Sequence, residues 1–209
     1  MEFPRLQHPF TMVLTGPTQS GKTVFLQNLL LFQREMFFPV PDKIVWFYGI
    51  HQSLYDEIPD VTFVEGFPPN YRDYLAMNTV FIFDDLMSEC ANDKRLSILF
   101  TKGSHHLNLS VIFLSQNCFH KGSEIRTITL NAHYLLLFKN RRDLSQIMHL
   151  GRQLYPRHDK FFQEVYEDAT RKPFSYLFID LKNETPEELR LRTQILPNEI
   201  QYIYQRKSI

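Results

Sequence analysis

Gly16-Pro17-Thr18-Gln19-Ser20-Gly21-Lys22-Thr23 spells G-x-x-x-x-G-K-[ST] directly after the apolar run Thr11-Met12-Val13-Leu14-Thr15. Glycines at both ends let the backbone curl so that successive N–H groups face one concavity. A helix starting at Lys22 adds the positive end of its dipole to that anion cradle. With an ammonium at Lys22 and a hydroxyl at Thr23, the spacing predicts a bound triphosphate, Lys22 reaching its β- and γ-phosphates and Thr23 ligating Mg²⁺. Val24-Phe25-Leu26-Gln27-Asn28-Leu29-Leu30-Leu31 is apolar enough for the buried helix that this requires.

A second run, Thr79-Val80-Phe81-Ile82-Phe83, delivers Asp84 and Asp85 to the carboxyl end of a buried strand, the edge where ligands sit in open α/β sheets. Asp84 suits the Mg²⁺ shell by holding a water ligand, since Mg²⁺ prefers hard oxygen donors and keeps several waters. Asp85 suits a general base for an attacking water. A third run, Ser110-Val111-Ile112-Phe113-Leu114-Ser115, ends in Gln116-Asn117, amides able to bond a γ-phosphate or the lytic water from the side, or simply to cap the next turn. Arg126 is a cation that a neighbouring subunit could present to transition-state charge. Surface salt bridging explains it equally, and Arg95 and Arg142 compete for the role.

The elements that must position these groups alternate along the chain. Short β-like runs (Met12 to Thr15, Ile44 to Tyr48, Val61 to Val64, Thr79 to Phe83, Ser110 to Ser115, Tyr134 to Phe138, Tyr176 to Asp180) are separated by helix-like stretches. The helices are expected over Lys22 to Arg34, Asn70 to Met77, Asn92 to Gly103, Ser123 to Leu130, Asp143 to Leu154 and Lys160 to Thr170. This is the pattern of an α/β fold with a mostly parallel sheet covered on both faces. After Asp180 the composition turns to Lys182-Asn183-Glu184-Thr185-Pro186-Glu187-Glu188, so residues 1–181 are expected to form the main domain and 182–209 a peripheral C-terminal extension.

The 209 residues suffice for one domain with its own core, and 19 Phe and 10 Tyr beside 7 Gly make that core aromatic. Lys plus Arg and Asp plus Glu both number 23, so no global field recruits nucleic acid; a basic surface must be local or made by assembly. Cys90 and Cys118 are too few for a disulfide framework and read as reduced thiols. The charged, proline-containing start is not a signal peptide, and no apolar run approaches the length of an integral membrane segment, so a soluble intracellular protein is expected.

In this order, with Gln116 after the strand that follows the acidic one, the elements resemble the additional-strand P-loop ATPases of the FtsK/HerA class. Phe100-Thr101-Lys102-Gly103-Ser104-His105-His106, Leu109 to Asn117, and Asn131-Ala132-His133-Tyr134-Leu135-Leu136-Leu137-Phe138-Lys139-Asn140 sharpen the likeness to genome-packaging ATPases of poxvirus-like and polinton- or adintovirus-like double-stranded DNA viruses. The resemblance runs from about Phe10 to Leu181. It implies an ATP-hydrolysing motor, a homo-oligomeric ring that moves viral double-stranded DNA into a preformed capsid with ATP and Mg²⁺ as cofactors and capsid proteins as partners. Its setting would be a host nucleus or cytoplasmic virus factory, with virion association open. It also implies that the Gln116 strand lies between the Thr15 and Asp84 strands. Asp85 stands where many ATPases of the wider class carry the longer Glu. Lys102, His105, His106, Lys121, Arg141, Arg142 and Arg152 are available to grip DNA, though each reads first as solvated surface.

Other chemistries find less support. Cys118-Phe119-His120 with His105-His106 lacks zinc-ligand spacing, no serine sits in a G-x-S-x-G elbow, and Lys139-Asn140-Arg141-Arg142-Asp143 does not match the guanine-reading Asn-Lys-x-Asp, leaving adenine as the default base. Two rivals stay open: a P-loop nucleotide kinase, for which the Arg171-Lys172 and Arg190 to Arg192 stretches make a sparse lid, and a nucleotide-gated assembly protein with little turnover.

Overall fold

The computed structural model describes residues 5–86, 93–116, 123–142 and 144–206; the side chains of His105 and of residues 123–126 fall outside the description. So do Cys90, Asn117, Cys118, His120 and Lys121. The strands are β1 (Leu6–Gln7), β2 (Thr11–Thr15), β3 (Phe37–Phe38), β4 (Lys43–Tyr48), β5 (Thr62–Glu65), β6 (Thr79–Asp84), β7 (Leu109–Ser115), β8 (Tyr134–Phe138), β9 (Tyr176–Asp180), β10 (Leu191–Thr193) and β11 (Tyr202–Ile203). Nine of them form one sheet in the order β11-β10-β9-β8-β2-β7-β6-β4-β5. From β5 to β8 all neighbours are parallel, and β9 to β11 continue antiparallel.

Strands buried on both faces need near-continuous apolar sequence, and every residue of β2, β6, β7, β8 and β9 is buried. Period-2 alternation then divides their side chains between two cores. Val13, Phe81, Phe83, Val111, Phe113, Leu135 and Leu137 face one, while Met12, Leu14, Val80, Ile82, Ile112, Leu114 and Leu136 face the other. Helix α1 (Lys22–Leu31) covers the second face through Phe25, Leu26, Leu29 and Leu30. The helix expected to reach Arg34 breaks at Phe32 and resumes as the single turn α2 (Gln33–Met36).

The first face is covered by α3 (Lys94–Ile98), the π-helical turn Leu99–Gly103, α4 (Ser104–His106), α5 (Ser123–Leu130), α6 (Leu144–Leu154) and α7 (Asp159–Ala169). Asp93 caps α3, its carboxylate accepting from the Arg95 backbone N–H at 2.9 Å. The helix expected over Asn70 to Met77 is only a 3₁₀ turn, Tyr71–Tyr74. Among the described residues, no helix is long and apolar enough to cross a membrane.

The chain after residue 181 continues the sheet. That segment supplies β10 and β11, and Leu191, Arg192, Thr193, Ile195 and Leu196 are buried. Its anchor is an ion pair between Arg192 and Asp180 at 3.1 Å, with side chains only 3% and 4% exposed. Burial pushes the Asp180 carboxyl up, opposed by the Lys182 N–H and by the Arg192 charge, and pushes the Arg192 guanidinium down, opposed by the Asp180 charge. Asp180 lies on β9, the strand with which the Arg192 strand pairs, so the buried charge meets its counter-charge across the ladder.

Candidate functional site

β2 pairs with β7 on one side and β8 on the other, so the chain reverses its winding around the strand that carries the glycine loop. Ligand crevices open at that point, beyond the carboxyl ends of the strands. Thr15 is in register with Ser115 and Leu137, and Phe83 with Phe113, which brings the residues following β2, β6 and β7 to one edge. β7 lies between β2 and β6, the arrangement that the resemblance implied.

The loop conformation follows from two glycines. A Cβ on Gly16 would sit 2.6 Å from the Phe138 Cβ and 2.7 Å from the Ser20 Oγ, so only a bare Cα fits beneath β8. Gly21 has φ 102°, a left-handed conformation open to glycine, and α1 begins at the next residue. The Lys22 Nζ donates to the Gly16 and Pro17 carbonyl oxygens at 2.6 and 2.9 Å, folding the side chain over the loop. Burial lowers the Lys22 pKa, opposed by the attraction of Asp84 and Asp85.

The adjacent carboxylates are dissimilar. Asp84, the last residue of β6, is 5% exposed and its Oδ2 accepts from the Tyr55 hydroxyl at 2.9 Å. Burial raises the Asp84 pKa; the Tyr55 hydrogen bond and the Lys22 charge pull it back down. Burial, reinforced by the neighbouring Asp84 charge, pushes the Tyr55 phenol well up, so Tyr55 is a neutral donor at any working pH. Asp85 is exposed and takes φ 54°, a left-handed backbone that turns the chain sharply out of the strand.

A cleft of about 660 Å³ collects these groups: Gly21, Lys22 and Thr23, then Asp84, Asp85 and Gln116 all line it. Thr18, Gln19 and Ser20 complete the loop's share of the wall. Further lining comes from residues that sequence reasoning missed, Phe174, Tyr176, Leu196 and Glu199, and from Gln52 and Leu54 at the start of the 3₁₀ turn that carries Tyr55. No motif marks them; long-range folding alone brings them here.

The remaining expected residues divide. The backbone of Arg126 lies on α5 and its side chain is outside the described residues. Arg95 is committed elsewhere, pairing with Asp93 at 2.6 Å and lying over the Phe67 ring at 4.4 Å. Lys102, His106, Arg141, Arg142 and Arg152 are exposed. Trp46 is fully buried in the core.

The donor set suits a phosphate chain with a hard cation. It offers backbone N–H groups, one ammonium, a hydroxyl at the first turn of a helix and a buried carboxylate. Among the described residues no cluster of three His, Cys, Asp or Glu forms a dedicated metal cage. Mg²⁺ held largely by phosphates and water needs none.

Sheet order and phosphate loop together define an α/β P-loop NTPase fold. The chain superposes on B204, the DNA-packaging ATPase of Sulfolobus turreted icosahedral virus, with a TM-score of 0.57 at 11% identity, covering 96% of this chain and 100% of that one. B204 of Sulfolobus turreted icosahedral virus 2 in complex with ATP-gammaS gives 0.52 at 13% identity, over 94% of this chain and 97% of that one. The cytoplasmic domain of the type VII secretion ATPase EccC of Thermomonospora curvata gives 0.56 at 12% identity over 88% of this chain but 25% of its own length. No protein-family profile and no curated protein sequence matches the chain.

Proposed function

We propose that this chain is an ATP-hydrolysing motor that moves viral double-stranded DNA into a preformed capsid, of the FtsK/HerA class and its poxvirus-like, polinton- and adintovirus-like branch. The observation that carries the reading is the convergence of Lys22, Asp84, Asp85 and Gln116 on one cleft at the carboxyl edge of the sheet. The similarity of the fold to B204 over nearly the whole of both chains supports the packaging assignment.

In this reading the loop from Gly16 to Thr23 wraps the phosphates, and Lys22 exchanges its carbonyl partners for β- and γ-oxygens. Thr23 and a water held by Asp84 would keep Mg²⁺ beside the phosphates, where it neutralises charge on their oxygens. Asp85, exposed and turned into the cleft, takes the proton of the attacking water. That water's oxygen bonds to the γ-phosphorus as the bridging bond breaks, and ADP leaves with the electron pair. Gln116 holds the water or γ-oxygen from the neighbouring strand. Arg126 serves the next subunit of a homo-oligomeric ring as its trans cation, and exposed cations such as Lys102, Arg141 and Arg142 face DNA in the lumen.

The test is phosphate release from ATP and Mg²⁺, with and without double-stranded DNA. DNA-stimulated turnover is expected. Phosphorylation of a small acceptor would instead identify a kinase, and tight binding without turnover an assembly switch.

A further inference from the structure

The cleft does not end where the phosphate loop ends. Phe174 lies against Gly21, close enough that a Cβ there would come within 3.3 Å of the Phe174 Cβ and Cδ1. Phe174 is 70% exposed and has φ 62°, a left-handed backbone that a bulky aromatic adopts at a cost. A large apolar ring held in a strained conformation where the phosphate loop meets the cleft's apolar lining suits a flat partner. Beside it Tyr176 is buried, its hydroxyl accepting from the Ile195 N–H at 3.0 Å and donating to the Glu199 Oε2 at 3.0 Å. The Leu196 N–H also donates to Oε2, at 3.1 Å. Two donors thus fix the carboxylate through one oxygen, and Oε1 takes part in neither bond. A carboxylate only accepts, so it seeks an amine.

Resting on the triphosphate reading of the same cleft, we infer that residues 174–199 form its nucleoside wall: Phe174 stacks on the base, and Glu199 Oε1 accepts from the exocyclic 6-amino group of adenine. Leu196, at the same wall, closes the apolar side of the base. Adenine is favoured over guanine because guanine presents an acceptor, O6, where adenine carries the amine, and acceptor would face acceptor.

The test measures Mg²⁺-dependent binding to the full chain by calorimetry with four probes: ATP, GTP, purine riboside triphosphate, which lacks the 6-amino group, and inorganic tripolyphosphate. Unaltered protein should bind ATP about tenfold or more tighter than purine riboside triphosphate, the loss expected for a hydrogen bond to a charged acceptor. GTP should bind no better than purine riboside triphosphate. Glu199→Ala should bring ATP and purine riboside triphosphate to the same affinity. Phe174→Ala should weaken ATP by about tenfold while leaving tripolyphosphate within about twofold, as loss of one base–aromatic stack predicts. Equal affinity of the unaltered protein for ATP and purine riboside triphosphate overturns the amine contact without requiring any variant to fold, and unchanged ATP affinity in Phe174→Ala overturns the stack. Failure of the unaltered protein to bind tripolyphosphate removes the phosphate-loop reading itself, and this inference with it.

Discussion

The six parallel strands and the three antiparallel ones serve one cleft in different ways. In the proposed function the parallel part bears on phosphate: its strands end in Thr15, Asp84 and Ser115, and the short sequence-local loops that follow carry the chemistry. The antiparallel part and the loops flanking it supply Phe174, Tyr176, Leu196 and Glu199, side chains far apart in sequence, on strands joined by a buried ion pair. One part places its functional groups by local backbone geometry, the other by long-range packing. A change in the first should therefore cost chemistry with little stability, and a change in the second should cost stability and nucleoside selectivity.

The sharpest break of that contrast is Asp85→Asn. Asn tolerates a left-handed backbone, so the fold and ATP affinity should persist while single-turnover hydrolysis falls roughly 10²- to 10⁴-fold, as for loss of a general base. Undiminished hydrolysis would remove Asp85 from the reaction. Arg192→Ala tests the other part: leaving Asp180 buried without its partner should cost about 3–5 kcal/mol in chemical denaturation. A cost near zero would show that the ion pair does not hold the antiparallel strands. Lys22→Ala should lower Mg²⁺–ATP affinity or turnover by roughly 10²- to 10³-fold, the range for one lost electrostatic contact in a closed site, with the melting temperature little changed. The smallest effect is expected for Tyr55→Phe. Its hydrogen bond lowers the raised Asp84 pKa, so without it the carboxylate protonates more readily. The acid limb of a pH–rate profile should move to higher pH, with turnover at neutral pH changed less than about tenfold. A shift to lower pH would contradict the stabilising role of the phenol.

The same contrast explains what could be read from residues alone. Gly16 to Thr23, and the strands ending at Asp84 and Ser115, are legible because glycine spacing and uninterrupted apolar runs are local signals. β8 and β9 match their expected ranges to the residue. Tyr55 was not legible, since nothing in Ser53–Glu57 says that its hydroxyl will meet a carboxylate 29 residues on. Asn70 to Met77 failed as a helix because it is short and little of it is buried. β10 escaped because a three-residue strand with a central arginine has neither length nor alternation to announce it. Phe174 carries no sequence signal that sets it apart from the other phenylalanines; its backbone angle and exposure distinguish it.

β7 pairs with β2 through Val111–Ser115 on one side and with β6 through Leu109–Phe113 on the other. These three strands form a single slab, and no polar group at its rim can advance without carrying its neighbours along. The sheet therefore acts as a fixed anvil. In the proposed motor, a stroke released when a phosphate departs would be delivered by the loops and helices bolted to that slab, the place for a lever arm.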